Sequence, residues 1–180
     1  VIPDARVVYV DVDPMVALIS AELLKDSKTA TIVSADLRDP AAVLGHPDLR
    51  ALINPGEPTG LLMTAVMHFV ASSSDPWGLV ARYLDALAPG SYLVLSHGTA
   101  DRLPPSGVRE GLDVYAKATE NIYVRPKDEV DRFFQHLEMV APYPGAPSGV
   151  CYVGEWGAEV PTEADSDGSR MLYCGVGRRP

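Results

Sequence analysis

Basic residues are scarce in this sequence: 15 Lys and Arg stand against 24 Asp and Glu among 180 residues, a formal net charge of -9. Affinity for nucleic acid comes mainly from phosphates neutralised by basic side chains, so this balance speaks against a nucleic-acid partner. A small ligand or a protein suits it better. Long apolar runs are also missing; none approaches the roughly 18–20 residues of a membrane span, so no membrane partner is expected. No positively charged, then apolar leader opens the chain. Cysteine is limited to Cys151 and Cys174, too few for a disulfide framework. These features are read as a cytoplasmic protein with two buried thiols.

The motifs that are lacking narrow the chemistry further. None of the 15 glycines sits in a G-x-G-x-x-G context between a strand and a helix; Gly175-x-Gly177 falls inside the last predicted strand. The histidines His46, His68, His97 and His136 show no metal-ligand spacing, and there is no H-E-x-x-H or C-x-x-C, so no metal site is expected. A hydrolase built on Ser96-His97 or Ser148 fails for want of a G-x-S-x-G elbow.

What is present is a chain able to bury a core, with 47% hydrophobic and 22% charged residues and the length of one domain. Its clearest signal is a repeated unit: an apolar β-rich run, a short link, then Asp-Pro opening a helical pattern. It occurs at Asp13-Pro14, Asp39-Pro40 and Asp75-Pro76. The carboxylate can accept from a free backbone N–H of the first turn, and the proline at the first helical position loses no donor. Val16, Ile19, Leu23 and Leu24 fall on one stripe after Asp13, consistent with packing on a sheet. Leu79, Leu84 and Leu87, with Val80 and Tyr83, do the same after Asp75 until Ala88-Pro89-Gly90 stops the helix. The runs Val7–Val10, Thr31–Val33, Leu61–Val66 and Tyr92–Leu95 are continuous rather than alternating, as in strands covered on both faces. Strands alternating with helices predict an α/β fold with a mostly parallel sheet.

Beyond Ser96 the rhythm changes. Leu103-Pro104-Pro105 reads as a loop, Val108–Ala118 as a helix, and Pro126 introduces a further helix carrying Val130, Phe133, Phe134 and Leu137. Val150–Trp156 and Met171–Val176 read as two strands joined by the acidic stretch Glu159–Asp167, short enough to require antiparallel pairing. Cys151 and Cys174 fall on this pair and can be neighbours.

Ligands of open α/β sheets bind outside the carboxyl ends of the strands, which draws attention to the residues ending each run. Asp11 can accept from both vicinal hydroxyls of a ribose, or it can be an ordinary loop aspartate. Asp36 can accept from an adenine amine with Leu37 against the ring, or it can simply form a turn. His46 and His136 read as turn and surface or core-edge residues. His68 and His97 follow strands at the predicted ligand edge, where an imidazole can orient a nucleophile or take its proton. A hydrogen-bonded structural histidine is the alternative for each. Trp77 and Trp156 read as packing residues.

The segments Arg6–Pro14, Ala35–Pro40 and Ala88–Asp101, with Pro89–His97 the most specific, resemble the DUF574 family of class I S-adenosylmethionine (SAM)-dependent methyltransferases. Tyr173–Pro180 is similar to the family's usual C-terminus. The resemblance implies a Rossmann-like sheet with a C-terminal antiparallel strand pair, bound SAM, and methyl transfer to a small-molecule acceptor. It implies that Asp11 holds the ribose, that Asp36 and Leu37 hold the adenine, and that Thr64 and Ala65 lie near the methionine moiety; Val12 is a further cofactor-binding candidate. His97 and His68 are the candidate catalytic residues. The family also carries an upstream helical region and a strand followed by a glycine-rich loop, the first SAM motif, for which this sequence has no counterpart. Residues 1–180 are therefore read as a single Rossmann-like domain lacking its N-terminal strand and helices, and are not expected to form a soluble SAM-binding monomer alone. A non-catalytic relic that binds a nucleoside or a partner is the competing function. A nicotinamide-dependent oxidoreductase is disfavoured by the missing phosphate loop.

Overall fold

The Asp-Pro signals are realised as helix starts at all three places. In a computed structural model that describes residues 4–102, 121–160, 166 and 168–180, Asp13 Oδ1 accepts from Met15 N at 2.8 Å. Asp39 Oδ1 accepts from Ala42 N at 3.0 Å, and Asp75 Oδ1 from Gly78 N at 3.0 Å. Each bond satisfies one of the donors that a helix start leaves without an intrahelical partner. The helices so begun are α1 (Pro14–Leu24), α2 (Pro40–Gly45) and α4 (Pro76–Asp85). Between them α3 (Pro47–Leu52) starts at His46, whose Nδ1 accepts from Asp48 N at 3.3 Å.

The chain divides into two compact units, residues 1–59 with 85–88, and residues 60–84 with 89–180. The first holds two parallel strands, β1 (Val7–Asp11) and β2 (Ala30–Ser34), in register from Val7↔Ala30 to Asp11↔Ser34. Its apolar helix stripe does not behave as the periodicity predicts. Val16, Ile19 and Leu23 are exposed, and α1 buries no residue at all. The helix is apolar almost all round, so its intermediate residues Ala17, Ser20 and Leu24 leave a second apolar face uncovered.

The second unit is built on β3 (Gly60–Thr64), β4 (Tyr92–Gly98) and β7 (Leu172–Arg178), in that spatial order. β3 and β4 run parallel, while β4 and β7 run antiparallel from Tyr92↔Arg178 to Gly98↔Leu172. On its other edge β7 takes β5 (Glu138–Met139) and β6 (Cys151–Tyr152), both antiparallel. Met63, Leu93 and Leu95 of the strands are buried, as are Leu79, Val80, Tyr83 and Leu84 of α4, so here the helical stripe is covered, though α4 ends at Asp85 and leaves Leu87 half-buried beyond it.

Several boundaries differ from the periodicity. The helix introduced by Pro126 is short, α5 (Lys127–Asp131), and tightens to a single turn at Arg132–Phe134 that buries Phe133 and Phe134. His136, at φ 68°, then reverses the chain into β5, a strand too short to show alternation in sequence. The strand expected over Val150–Trp156 ends at Tyr152, where Val153–Glu155 form a tight turn. Gly175 and Gly177 serve packing, not phosphate binding. A Cβ on Gly175 would lie 2.8 Å from Phe134 Cζ, and one on Gly177 would lie 2.9 Å from Leu137 Cβ. The loop at 103–105, the helix over 108–118 and most of the acidic stretch 159–167 lie outside the described residues. No helix among the described residues is long and apolar enough to cross a membrane.

Candidate functional site

In the first unit the strand ends present two carboxylates in different states. Asp11 closes β1; its Oδ1 accepts from Asp13 N at 2.8 Å, and its backbone carbonyl accepts from Ala35 N at 3.0 Å. The second carboxylate oxygen of Asp11 has no protein donor among the described residues, and neighbouring Val12 is 59% exposed. Asp36, two residues past β2, is instead engaged by Arg38. The Arg38 Nε lies 2.9 Å from both carboxylate oxygens, Nη2 lies 2.8 Å from Oδ2, and the Arg38 amide donates to Oδ1 at 2.8 Å. The Arg38 guanidinium beside it holds the Asp36 carboxyl below its ordinary value. This is the turn-forming arrangement, and a ligand amine reaches the carboxylate only where Arg38 moves aside. Leu37 beside it is half-buried.

In the second unit, β3 ends at the exposed Thr64 and the chain turns sharply through Ala65, at φ 52°. A non-glycine residue in this left-handed region stores on the order of 1–3 kcal/mol of strain. The Ala65 amide is held by Ser96 of β4, whose Oγ accepts at 2.9 Å and whose carbonyl lies 3.2 Å away. The next turn, Met67–Phe69, carries His68, which is 8% exposed. Its Nδ1 is buried without a hydrogen-bond partner among the described residues, and its ring meets Phe69 and His97 edge-on.

His97 does not follow a strand, as the sequence suggests, but lies within β4 and is fully buried. Its Nδ1 lies 2.9 Å from the Gly98 carbonyl and its Nε2 2.7 Å from an Arg125 Nη. Arginine only donates, so Nε2 accepts and the proton sits on Nδ1. Burial pushes His97 down to about 4, with the charge of Arg125 adding to the effect. Burial first, then Arg125, lowers His68 as well. Both imidazoles are thus neutral near pH 7, but only His68 has a nitrogen without a partner. The two are brought together by the fold, with ring centroids 5.8 Å apart.

Arg125, which sequence reasoning missed, organises this corner. It is 2% exposed, and besides His97 it donates to the carbonyls of Met67 at 3.3 Å and Val70 at 2.7 Å, and to Ser72 Oγ at 3.2 Å. Glu129 supplies a counter-charge 3.7 Å from its Nε. Its backbone amide donates to the Gly98 carbonyl, and the Tyr123 amide to that of His68. Trp77 faces the guanidinium at 5.5 Å and donates from Nε1 to the Glu129 carbonyl, so it packs as expected. No local pattern marks Arg125; its side-chain hydrogen-bond partners are all 28 or more residues away in sequence.

A second polar group lies across the sheet. The Tyr173 hydroxyl stands 3.0 Å from Asp101 Oδ2 and 3.0 Å from the Tyr152 hydroxyl, and the two tyrosine rings stack at 4.5 Å. Burial and the acceptor groups around it push the Tyr173 hydroxyl well above its ordinary value. An open cavity of about 400 Å³ at the amino end of β2, lined by Lys25, Lys28 and Asp48, is remote from the strand ends along β2. Among the described residues no group of three or more His, Cys, Asp or Glu is placed to hold a metal.

Comparison with known proteins places this geometry. A DUF574 family protein of Streptomyces avermitilis MA-4680 is 35% identical, with a TM-score of 0.86 over 99% of this chain and 66% of that one. A candidate methyltransferase of Thermobifida fusca YX is 34% identical, with a TM-score of 0.85 over 98% of this chain and 64% of that one. The chain therefore spans just under two thirds of the length of these relatives. The N-methyltransferase NodS of Bradyrhizobium japonicum WM9, crystallised with S-adenosyl-L-homocysteine, shares the Rossmann-like fold at 12% identity, with a TM-score of 0.55 over 97% of this chain and 67% of that one. No curated protein matches the sequence. The S-adenosyl methyltransferase family matches residues 1–180 without a break, and the chain belongs to that family.

Proposed function

We propose that this chain contributes SAM binding and acceptor activation to a methyltransferase acting on a small molecule. The observation that carries the reading is the family match along the whole chain. Two of the three candidate contact places support this reading as they stand. Asp11, with one carboxylate oxygen free of protein donors among the described residues, would hold the ribose beside Val12; Thr64 and the strained Ala65 would lie by the methionine moiety. Asp36 and Leu37 would hold the adenine after Arg38 leaves the carboxylate. SAM, when bound, supplies a methyl group on a sulfonium.

Of the two histidines, His68 suits the proton work. Its unpartnered Nδ1 is neutral near pH 7 and can accept a proton from an acceptor hydroxyl or amine. His97 suits a positioning role, since Arg125 occupies its acceptor nitrogen while clamping the two carbonyls that flank His68.

We propose also that these 180 residues fold as part of a longer chain that completes the domain. The relatives are longer, and among the described residues β1 pairs only with β2 and β3 only with β4. Unpaired strand edges beside apolar surface promote aggregation.

Calorimetry with SAM and S-adenosylhomocysteine on the longer protein tests the binding reading. Asp11→Ala removes an ionised acceptor, and each such bond is worth roughly 1.5–3 kcal/mol. Affinity should fall at least tenfold. A change under about twofold overturns the ribose assignment. Absence of binding in the wild-type protein favours the relic.

A further inference from the structure

Cys151 and Cys174 stand directly opposite each other on β6 and β7. Opposed residues of an antiparallel ladder have Cα atoms about 4.5–5.5 Å apart, within the roughly 4.4–6.8 Å that disulfides span. Side chains at such a pair share one face of the sheet. Both cysteines are free, and they differ in access: Cys151 is half-buried, Cys174 is 8% exposed. The neighbouring Cys174 thiol holds Cys151 below its ordinary value, while Cys151 and burial push Cys174 up.

We propose that Cys151 and Cys174 form a redox-active dithiol that closes reversibly to a cross-strand disulfide on exposure to a peroxide. Cys151 is the attacking thiol, because it is the more accessible of the two. Its sulfur attacks one peroxide oxygen, the O–O bond breaks, and the leaving oxygen departs as water with the proton that Cys151 gave up. The product is a sulfenic acid at Cys151. The Cys174 sulfur then attacks the Cys151 sulfur, the S–O bond breaks, and a second water leaves with the Cys174 proton. Two thiols lose two electrons and the peroxide is reduced to two waters.

Closure draws the two Cβ atoms together, since opposed residues keep them about 4.5–5.5 Å apart and a disulfide prefers about 3.5–4.5 Å. A bond formed under that strain is easily reduced, so a dithiol such as dithiothreitol reopens it. The position has consequences across the sheet. Cys174 is also opposite Ser96, and Ser96 is beside Thr64, so the dithiol shares a cross-strand row with the residue that holds the Ala65 amide.

The test treats the native protein, as the longer chain, with hydrogen peroxide, then unfolds it in iodoacetamide and maps its peptides by mass. The expected result is a peptide pair joined through Cys151 and Cys174, lighter by two hydrogens, that takes up two alkyl groups after dithiothreitol. In Cys174→Ser, Cys151 should stop at the sulfenic acid and be captured by dimedone. Two alkylated cysteines after peroxide, or Cys151 overoxidised with Cys174 still a thiol, overturns the proposal. The wild-type peptide map decides even where the variant does not fold.

Discussion

In the unit of β1 and β2, α1 leaves Val16, Ile19 and Leu23 exposed at 41%, 56% and 80%, and among the described residues only Val33 and Val43 are buried apolar side chains. In the unit of β3 to β7, α4 buries Leu79, Val80, Tyr83 and Leu84, and the interior is closed enough to hold an arginine and a histidine. Both helices start with the same Asp-Pro device, so local signals do not set them apart. The difference is whether the far side of the apolar stripe has a partner. A helix start can be written in four residues; burial needs a second surface.

That contrast yields its largest expected effects in stability. Arg125→Ala takes donors away from the Met67 and Val70 carbonyls, Ser72 and His97 at once, and breaking a buried charged network costs about 3–5 kcal/mol. In the proposed longer chain, a segment that covers α1 would make Leu23→Ala cost about 2–5 kcal/mol. Urea unfolding of both variants compares the units directly. A Leu23→Ala effect within about 0.5 kcal/mol, as for a surface position, would show that α1 stays uncovered there.

Acid sharpens the comparison next. His97 is held at about 4 in the folded protein, below the ordinary 6.5, so between those values the unfolded chain binds more protons. Stability is therefore level above about pH 6.5 and falls as pH drops toward about 4, by on the order of 3 kcal/mol for this residue. His68 shifts in the same direction and adds to the loss. In the other unit the shifted group is Asp36, whose depressed carboxyl contributes above its ordinary 3.8 and loses that contribution only as pH falls below it. Trp77 and Trp156 both belong to the β3–β7 unit, so their fluorescence follows that unit during denaturant unfolding. His97→Gln should flatten most of the slope between about pH 6.5 and 4.5; an unchanged slope would remove His97 as its source.

How much of this was legible depends on sequence distance. The Asp-Pro caps, the strand cores and the antiparallel partnership of Cys151 with Cys174 follow from neighbours a few residues apart or from short connections. The ends of runs also located Asp11, Thr64 and His68, because strand termini are marked locally. Arg125 was invisible, since its acceptors come from residues 67–97 and nothing beside it in sequence distinguishes a buried arginine from a surface one. The placement of His97 inside β4 was missed for a related reason. Ser96 and His97 are polar and read as the end of the run, whereas the Tyr173 register and the Arg125 bond let the strand continue through them. Gly175 and Gly177 were legible as glycines but not as packing sites for Phe134 and Leu137, which lie some forty residues earlier in the chain.

The smallest expected effect separates strain that serves a site from strain that does not. The non-glycine residues with positive φ among the described residues are Ala65, Asp75 and His136, at φ 52°, 48° and 68°, all in the β3–β7 unit. Asp75 is excused by its capping bond to Gly78, which leaves Ala65 and His136 as a matched pair. A left-handed non-glycine residue costs roughly 1–3 kcal/mol, and glycine returns part of that through the greater freedom of its unfolded chain. Ala65→Gly and His136→Gly should therefore each stabilise the protein by about 0.5–1 kcal/mol in urea unfolding. They should part company in SAM binding. Ala65 is fixed by both Ser96 Oγ and the Ser96 carbonyl at a strand end, so loosening its backbone should weaken affinity severalfold. His136 is exposed and sits between the Arg132–Phe134 turn and β5, so its glycine variant should bind as the wild type does. Equal affinities for the two variants would mean that the strain at Ala65 belongs to the turn alone, and that the ligand edge of this unit lies elsewhere than at the end of β3.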